Sequence, residues 1–232
     1  MTGSTELVEV SQEIHAVVGE KRRIGRIAAF VTPDKDGDER EIYCISAAHV
    51  FGFRSGAKIL NREGRKIGKA DWSRFNSVMD LWRVDPNYSC LKEVGVIRID
   101  PDVAVRNSSG HDPVRSVMSP IDHFLQGNGE VFVKGDRFGV ITRVRANPEI
   151  MYADGLTVRT RGFFVNRENS SVEVHAGSSG RPVFTAHGEL LGMIIASMEN
   201  ELFCLDFHEI LQLLGCRLLD YSAKGYVERT FA

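Results

Sequence analysis

Turn dipeptides punctuate this chain at short intervals. Glu63-Gly64, Asp154-Gly155 and His187-Gly188 each stand between short runs that alternate or are continuously apolar. Such tips, joining runs of that length, predict strands wrapped into a sandwich or barrel, an all-β class. Strands are expected over 24–33, 41–48, 57–61, 65–71, 80–84, 93–99, 130–134, 138–145, 149–153, 156–164, 182–186, 189–197 and 201–206. A helical period occurs only at 206–215, with Asp206 to start it and Gly215 to stop it. Residues 101–128 are rich in Pro, Asp, Ser and Gly and read as a connection between two barrels. Residues 1–22 are polar and charged and read as a short helix or a loose arm.

At 232 residues and 43% hydrophobic, the chain is long enough for one two-lobed unit or two small domains. A formal net charge of −2 argues against bulk binding of nucleic acid or of an anionic membrane surface. The opening MTGSTELVEVSQEIHAVVGEKRR has no basic segment followed by an apolar run, so it does not read as a signal peptide. No apolar run reaches the roughly 18 residues of a membrane-spanning helix. Asp34-Lys35-Asp36-Gly37-Asp38 places its glycine too early for a calcium loop and reads as a hairpin tip. No histidine pair has metalloprotease spacing, so neither a metal nor a cofactor is expected.

Three stretches carry chemistry. His175-Ala176-Gly177-Ser178-Ser179-Gly180-Arg181-Pro182-Val183 sets a serine among small residues. There a carbonyl can come close, and the N–H groups of Gly177 and Ser179 can face a developing oxyanion. Ile45-Ser46-Ala47-Ala48-His49-Val50 is a small-residue strand end carrying a histidine, and Glu93 opens an apolar strand. A serine hydroxyl needs a base to take its proton, and imidazole suits that role because its ordinary pKa lies near neutrality. The base needs an acid to fix its tautomer and to stabilise the imidazolium.

In order and spacing, these pieces resemble the trypsin-like (chymotrypsin-fold) serine proteases. His49 and Glu93 are 44 residues apart, Glu93 and Ser179 are 86 apart, and GELLGMIIAS at 188–197 resembles the hairpin strand that follows the nucleophile. The resemblance runs from about residue 24 to about 214. It implies two six-stranded antiparallel β-barrels with a short C-terminal helix. Residues 1–22 would be an arm, 23–110 the barrel with the histidine and acid, 111–128 a linker, and 129–232 the barrel with the nucleophile. It implies a serine endopeptidase in which Ser179 is nucleophile, His49 base then acid, Glu93 orienter, and Gly177 and Ser179 the oxyanion donors. Ser179 is preferred to Ser178 because Gly180 follows it.

Several features depart from the family. It has Asp where this chain has Glu93, so Asp80 and Asp102 stay open as the acid. Arg181 stands where a small residue is usual. Val17-Val18-Gly19 is similar to a processed N-terminus, but Ser178 occupies the place of the aspartate that such processing needs. Counting back from the serine sets Glu173 near the base of the primary pocket, where a carboxylate would favour Lys or Arg; His175 could line the same pocket. Cys44, Cys90, Cys204 and Cys216 do not follow the family's disulfide pattern, since Val50 follows His49, and a reducing, cytoplasmic setting is expected. A polypeptide substrate is implied, with a regulatory partner or neighbouring effector protein to restrain it. Two other readings stay open: a degenerate protease-fold binding module, and an esterase or other acyl hydrolase using the same three residues.

Overall fold

The computed structural model describes residues 7–34, 41–109, 112–114, 116–127, 129–167, 172–198 and 200–219. Of the expected tip at 34–38 only Asp34 is among them, and His111 lies outside them. The first lobe contains β1 Glu13–Val18, β2 Lys21–Arg26, β3 Ala29–Pro33, β4 Tyr43–Ala47, β5 Lys58–Asn61, β6 Lys66–Ala70 and β7 Val94–Ile99. The second contains β8 Glu130–Val133, β9 Asp136–Ala146, β10 Gly162–Arg167, β11 Pro182–Phe184, β12 Leu190–Met198 and β13 Glu201–Asp206. A helix, Phe207–Leu214, and a last strand, β14 Cys216–Leu218, follow.

The second lobe is a closed six-stranded barrel in the order β8-β9-β10-β13-β12-β11, shut by pairing of Phe132 with Phe184. Val131, Val133, Phe138, Phe163, Val165, Val183, Leu191 and Leu202 fill its interior, the inward set of the alternating strands. The first lobe differs from the expected six-stranded barrel. It is an eight-stranded curled sheet, β14-β3-β4-β7-β6-β5-β1-β2, antiparallel throughout. The run expected as one strand over 24–33 bends at Ile27-Ala28, both fully buried, and so splits into β2 and β3. At the bend the Ala28 N–H donates to Ile45 O (2.8 Å), while Ile27 bonds to Ser11 and Gln12. The end strand β2 and β3, second from the other end of the sheet, are thus successive segments of one chain.

Other expectations need correction. Residues 7–22 are no arm: Leu7–Glu9 pairs in parallel with Ala104–Arg106, and β1 pairs with β5. Val8, Val10, Ile14 and Ala16 are buried, and with them Ser11 and His15, while Glu20, Lys21 and Arg22 are exposed. Residues 81–83 form a 3-10 turn rather than a strand. The connection over 101–128 holds a helix, Pro120–Leu125, too short to show a period and started by Pro120 after Ser119.

The C-terminal helix follows its sequence signals. Asp206 accepts the Glu209 N–H (3.1 Å), Gly215 ends the helix at φ 60, and Phe207, Ile210 and Leu214 are buried. Burial pushes the Asp206 carboxyl from 3.8 up to about 6, against the helix N–H it accepts. A carboxyl raised in the folded state adds stability while protonated and loses it as pH rises through about 4 to 6. Asp206→Asn keeps the cap and removes the titration. The variant is expected to be more stable than wild type by about 2 kcal/mol at pH 7.5, with the difference shrinking towards pH 4. Urea unfolding at both pH values checks this, and a constant difference would refute it.

Candidate active site

The ladder between β4 and β7 sets Ala47 opposite Val94, so the residues just beyond it, His49 and Glu93, emerge at the same end. His49 lies on a 3-10 turn, Ala48–Phe51, closed by Gly52 in the left-handed region. The turn sinks into the lobe because glycines make room for it. A Cβ on Gly25 would lie 2.6 Å from Val50, and one on Gly95 would lie 2.1 Å from Phe51. Arg23 Nη1 donates to His49 O at 2.7 Å and holds the turn from outside. Glu93 ends a 3-10 run, Pro86–Glu93, whose start is capped by Asp85.

Ser179 comes from the second lobe, after the 3-10 turn Ala176–Ser178 and before β11. It is fixed from both sides: the Arg26 N–H donates to Ser179 O (2.8 Å), and the Gly180 N–H donates to Ile194 O (2.8 Å). Ser179 Oγ lies 2.7 Å from His49 Nε2, and His49 Nδ1 lies 2.9 Å from Glu93 Oε2. Glu93 is completely buried, whereas the neighbouring Ser178 hydroxyl is buried in the turn and accepts the His175 N–H. Asp80 is exposed and pairs with Arg83, and Asp102 lies in an exposed turn. Neither is in hydrogen-bond contact with His49.

A cleft of about 530 Å³ opens above these residues, lined by His49, Ser179, Tyr152, Val174, Ile195 and Met198 among others. Two expectations for it need correction. Glu173 is exposed and does not line the cleft; its carbonyl accepts from Arg181 Nη1 (2.8 Å). Counting back from the serine assumes a loop length that this chain does not have. His175 does line the cleft, but its Nδ1 accepts the Gly177 N–H at 3.1 Å. One of the two expected oxyanion donors is therefore turned onto a side chain, because His175 caps the 3-10 turn that holds Gly177.

One residue at the site carried no sequence signal. Tyr152 follows the ribbon strand Glu149–Met151, and its ring lies on the His49 imidazole with centroids 4.7 Å apart and planes at 31°. The turn dipeptide Asp154-Gly155 marks the tip beside it, but nothing in that pattern says the tip overhangs the cleft. No group of three or more His, Cys, Asp or Glu is placed to hold a metal ion among the described residues. The four cysteines are free and buried, and burial pushes their thiols upward, away from reactivity. No helix among the described residues is long and apolar enough to cross a membrane.

Two lobes, one a closed antiparallel barrel and one a curled sheet, with a cleft between them, define the chymotrypsin-type fold of serine proteases. Among solved structures the chain is similar to an alpha-lytic protease homolog, N4, with a TM-score of 0.57 at 14% identity, over 91% of this chain and 98% of that one. It is also similar to a glutamic-acid-specific serine protease that uses a histidine triad in substrate binding, with a TM-score of 0.55 at 18% identity, over 91% and 100%. No protein-family model and no curated protein matches the sequence.

Proposed function

We propose that this chain is a serine endopeptidase acting through Ser179, His49 and Glu93. The observation that carries the reading is the continuous run Glu93–His49–Ser179, with steps of 2.9 and 2.7 Å, at the floor of a cleft between two lobes. Ser179 Oγ attacks a substrate carbonyl as His49 Nε2 takes its proton. Glu93 holds the other ring nitrogen protonated and faces the imidazolium that forms. His49 then gives its proton to the leaving amine, and water, activated the same way, releases the acyl group. The substrate is a polypeptide. Among the described residues no acidic side chain lines the cleft, while Val174, Ile194, Ile195 and Met198 do, which favours an apolar side chain before the cleaved bond over Lys or Arg.

The test is fluorophosphonate labelling of wild type beside Ser179→Ala, with peptide and ester substrates compared in parallel. Labelling lost in Ser179→Ala, together with peptide cleavage, supports the reading. Ester turnover without peptide cleavage moves it to an acyl hydrolase, and a folded, unlabelled wild type overturns it.

The Gly177 N–H bound to His175 favours a second reading, a binding module that keeps the protease fold without an open oxyanion site. Under the endopeptidase reading, that N–H must exchange His175 for the substrate oxygen during turnover. His175→Ala is then expected to raise kcat/KM by about 2- to 10-fold, the worth of one net hydrogen bond. Steady-state kinetics on an apolar peptide substrate check this, and a fall in kcat/KM would assign His175 a supporting role instead.

A further inference from the structure

We propose that Tyr152 is a positioning residue for the Glu93–His49 pair, its ring walling the imidazole and its hydroxyl serving as the second hydrogen-bond partner of the Glu93 carboxylate. The inference rests on the endopeptidase reading.

Glu93 has two carboxylate oxygens and no exposure to water. Oε2 is taken by His49, while Oε1 is enclosed and makes no hydrogen bond. The Tyr152 hydroxyl is enclosed in the same way and also makes none of normal geometry. A carboxylate only accepts and a phenol can donate, so the two unfilled needs are complementary. Both groups lie against the His49 imidazole, Glu93 through its bond to Nδ1 and Tyr152 through its stacked ring. Burial, and after it the Glu93 charge, raises the proton affinity of the phenol. The hydroxyl therefore stays a donor throughout the neutral range. A hydrogen bond between hydroxyl and carboxylate satisfies both groups, and a buried acceptor gains most from such a donor.

The ring is placed to stay there. The Tyr152 N–H donates to Leu156 O (2.8 Å) and Tyr152 O accepts the Gly155 N–H (2.9 Å), so the residue sits in a tight turn. Arg23 of the first lobe reaches Asp154 at 3.3 Å and draws that turn across the cleft. Phe53 touches the ring edge-on with centroids 6.1 Å apart. The charged and titratable groups around the ring are His49, Glu93, Asp154 and Arg23. Histidine and acid both belong to the first lobe, and this second-lobe tyrosine completes their surroundings.

The test uses the full chain as wild type, Tyr152→Phe and Tyr152→Leu, with two measurements. The first is kcat and KM on a peptide substrate across pH. The second is an NMR titration of the His49 ring, which needs no turnover. Phe keeps the ring and removes the donor, leaving the whole Glu93 charge to act on the imidazole. The His49 titration and the acidic limb of kcat/KM are expected to move to higher pH. In Tyr152→Phe kcat is expected to fall about 5- to 20-fold with KM within 2-fold of wild type, and in Tyr152→Leu it falls further. An unmoved titration and an unchanged kcat in a wild type that labels and cleaves overturn the positioning role alone. A change confined to KM also overturns it, and makes Tyr152 a wall for substrate. If the titration moves while the wild type neither labels nor cleaves, the positioning role stands and the endopeptidase reading falls.

Discussion

Replacing Glu93 by glutamine is expected to lower kcat by about 10⁴-fold with little change in KM or in folding. The amide fits the same buried space, so the chain folds. Its NH₂ becomes a donor towards His49 Nδ1, which must then be the unprotonated nitrogen. The proton moves to Nε2, the atom 2.7 Å from Ser179 Oγ, where it can no longer accept one from the serine. Glu93→Asp is milder, because it keeps the charge and shortens the reach by one methylene. Asp80→Asn, at a carboxylate that is 67% exposed and paired with Arg83, is expected to leave activity within 2-fold. Fluorophosphonate labelling rates of the three variants test this. A Glu93→Gln protein that keeps a tenth or more of the wild-type rate would show that the acid lies elsewhere.

Gly180→Ala is expected to cost about 4 kcal/mol of stability, near the upper range for a single substitution. Two effects add. The backbone φ of +86° disfavours any residue with a Cβ, and that Cβ would lie 2.2 Å from Arg26 O and 2.6 Å from Ser46 Oγ. Neither neighbour can yield: Ser46 Oγ donates to Arg26 O (2.7 Å), and the Arg26 N–H donates to Ser179 O (2.8 Å). Gly155 supplies the control. Its φ is +81° with nothing within 4 Å of the added atom, so Gly155→Ala should cost about 1 kcal/mol. In thermal unfolding the first variant should melt roughly 8–16 °C lower than wild type and the second roughly 2–4 °C lower. Equal shifts would mean that the close approach at Gly180 contributes nothing.

How much of this could be read from the residues depends on what each feature is made of. His49, Glu93 and Ser179 lie at strand ends or in turns, which small residues and glycines announce, and their chain order limited the folds that could join them. The C-terminal helix was legible for the same reason, through Asp206 and Gly215. The bend at Ile27-Ala28 was not, since two apolar residues carry no turn chemistry and the split is imposed by their bonds to Ser11, Gln12 and Ile45. The direction of the Gly177 N–H is a backbone property that residue type does not encode, although a histidine two places earlier was a possible acceptor. Glu173 was misplaced by a spacing rule that presumes a fixed loop length. Tyr152 reaches the site from a hairpin whose pattern fixes its turn and leaves its docking unspecified.

The last strand has a mechanical consequence. After closing the second lobe, the chain crosses back so that β14 pairs with β3, Cys216 opposite Pro33 and Leu218 opposite Val31. Buried Asn107 staples the joint, taking the Phe30 N–H and donating to Phe30 O and Leu219 O at 2.7 to 2.8 Å. The first lobe is therefore incomplete without chain that has already built the second. A cut in the connection between them would leave two fragments that must find each other before the β3 edge of the first lobe is covered. The lobe that carries the base is thus finished by the same stretch of chain that leaves the lobe carrying the nucleophile, and this clasp ties the two together.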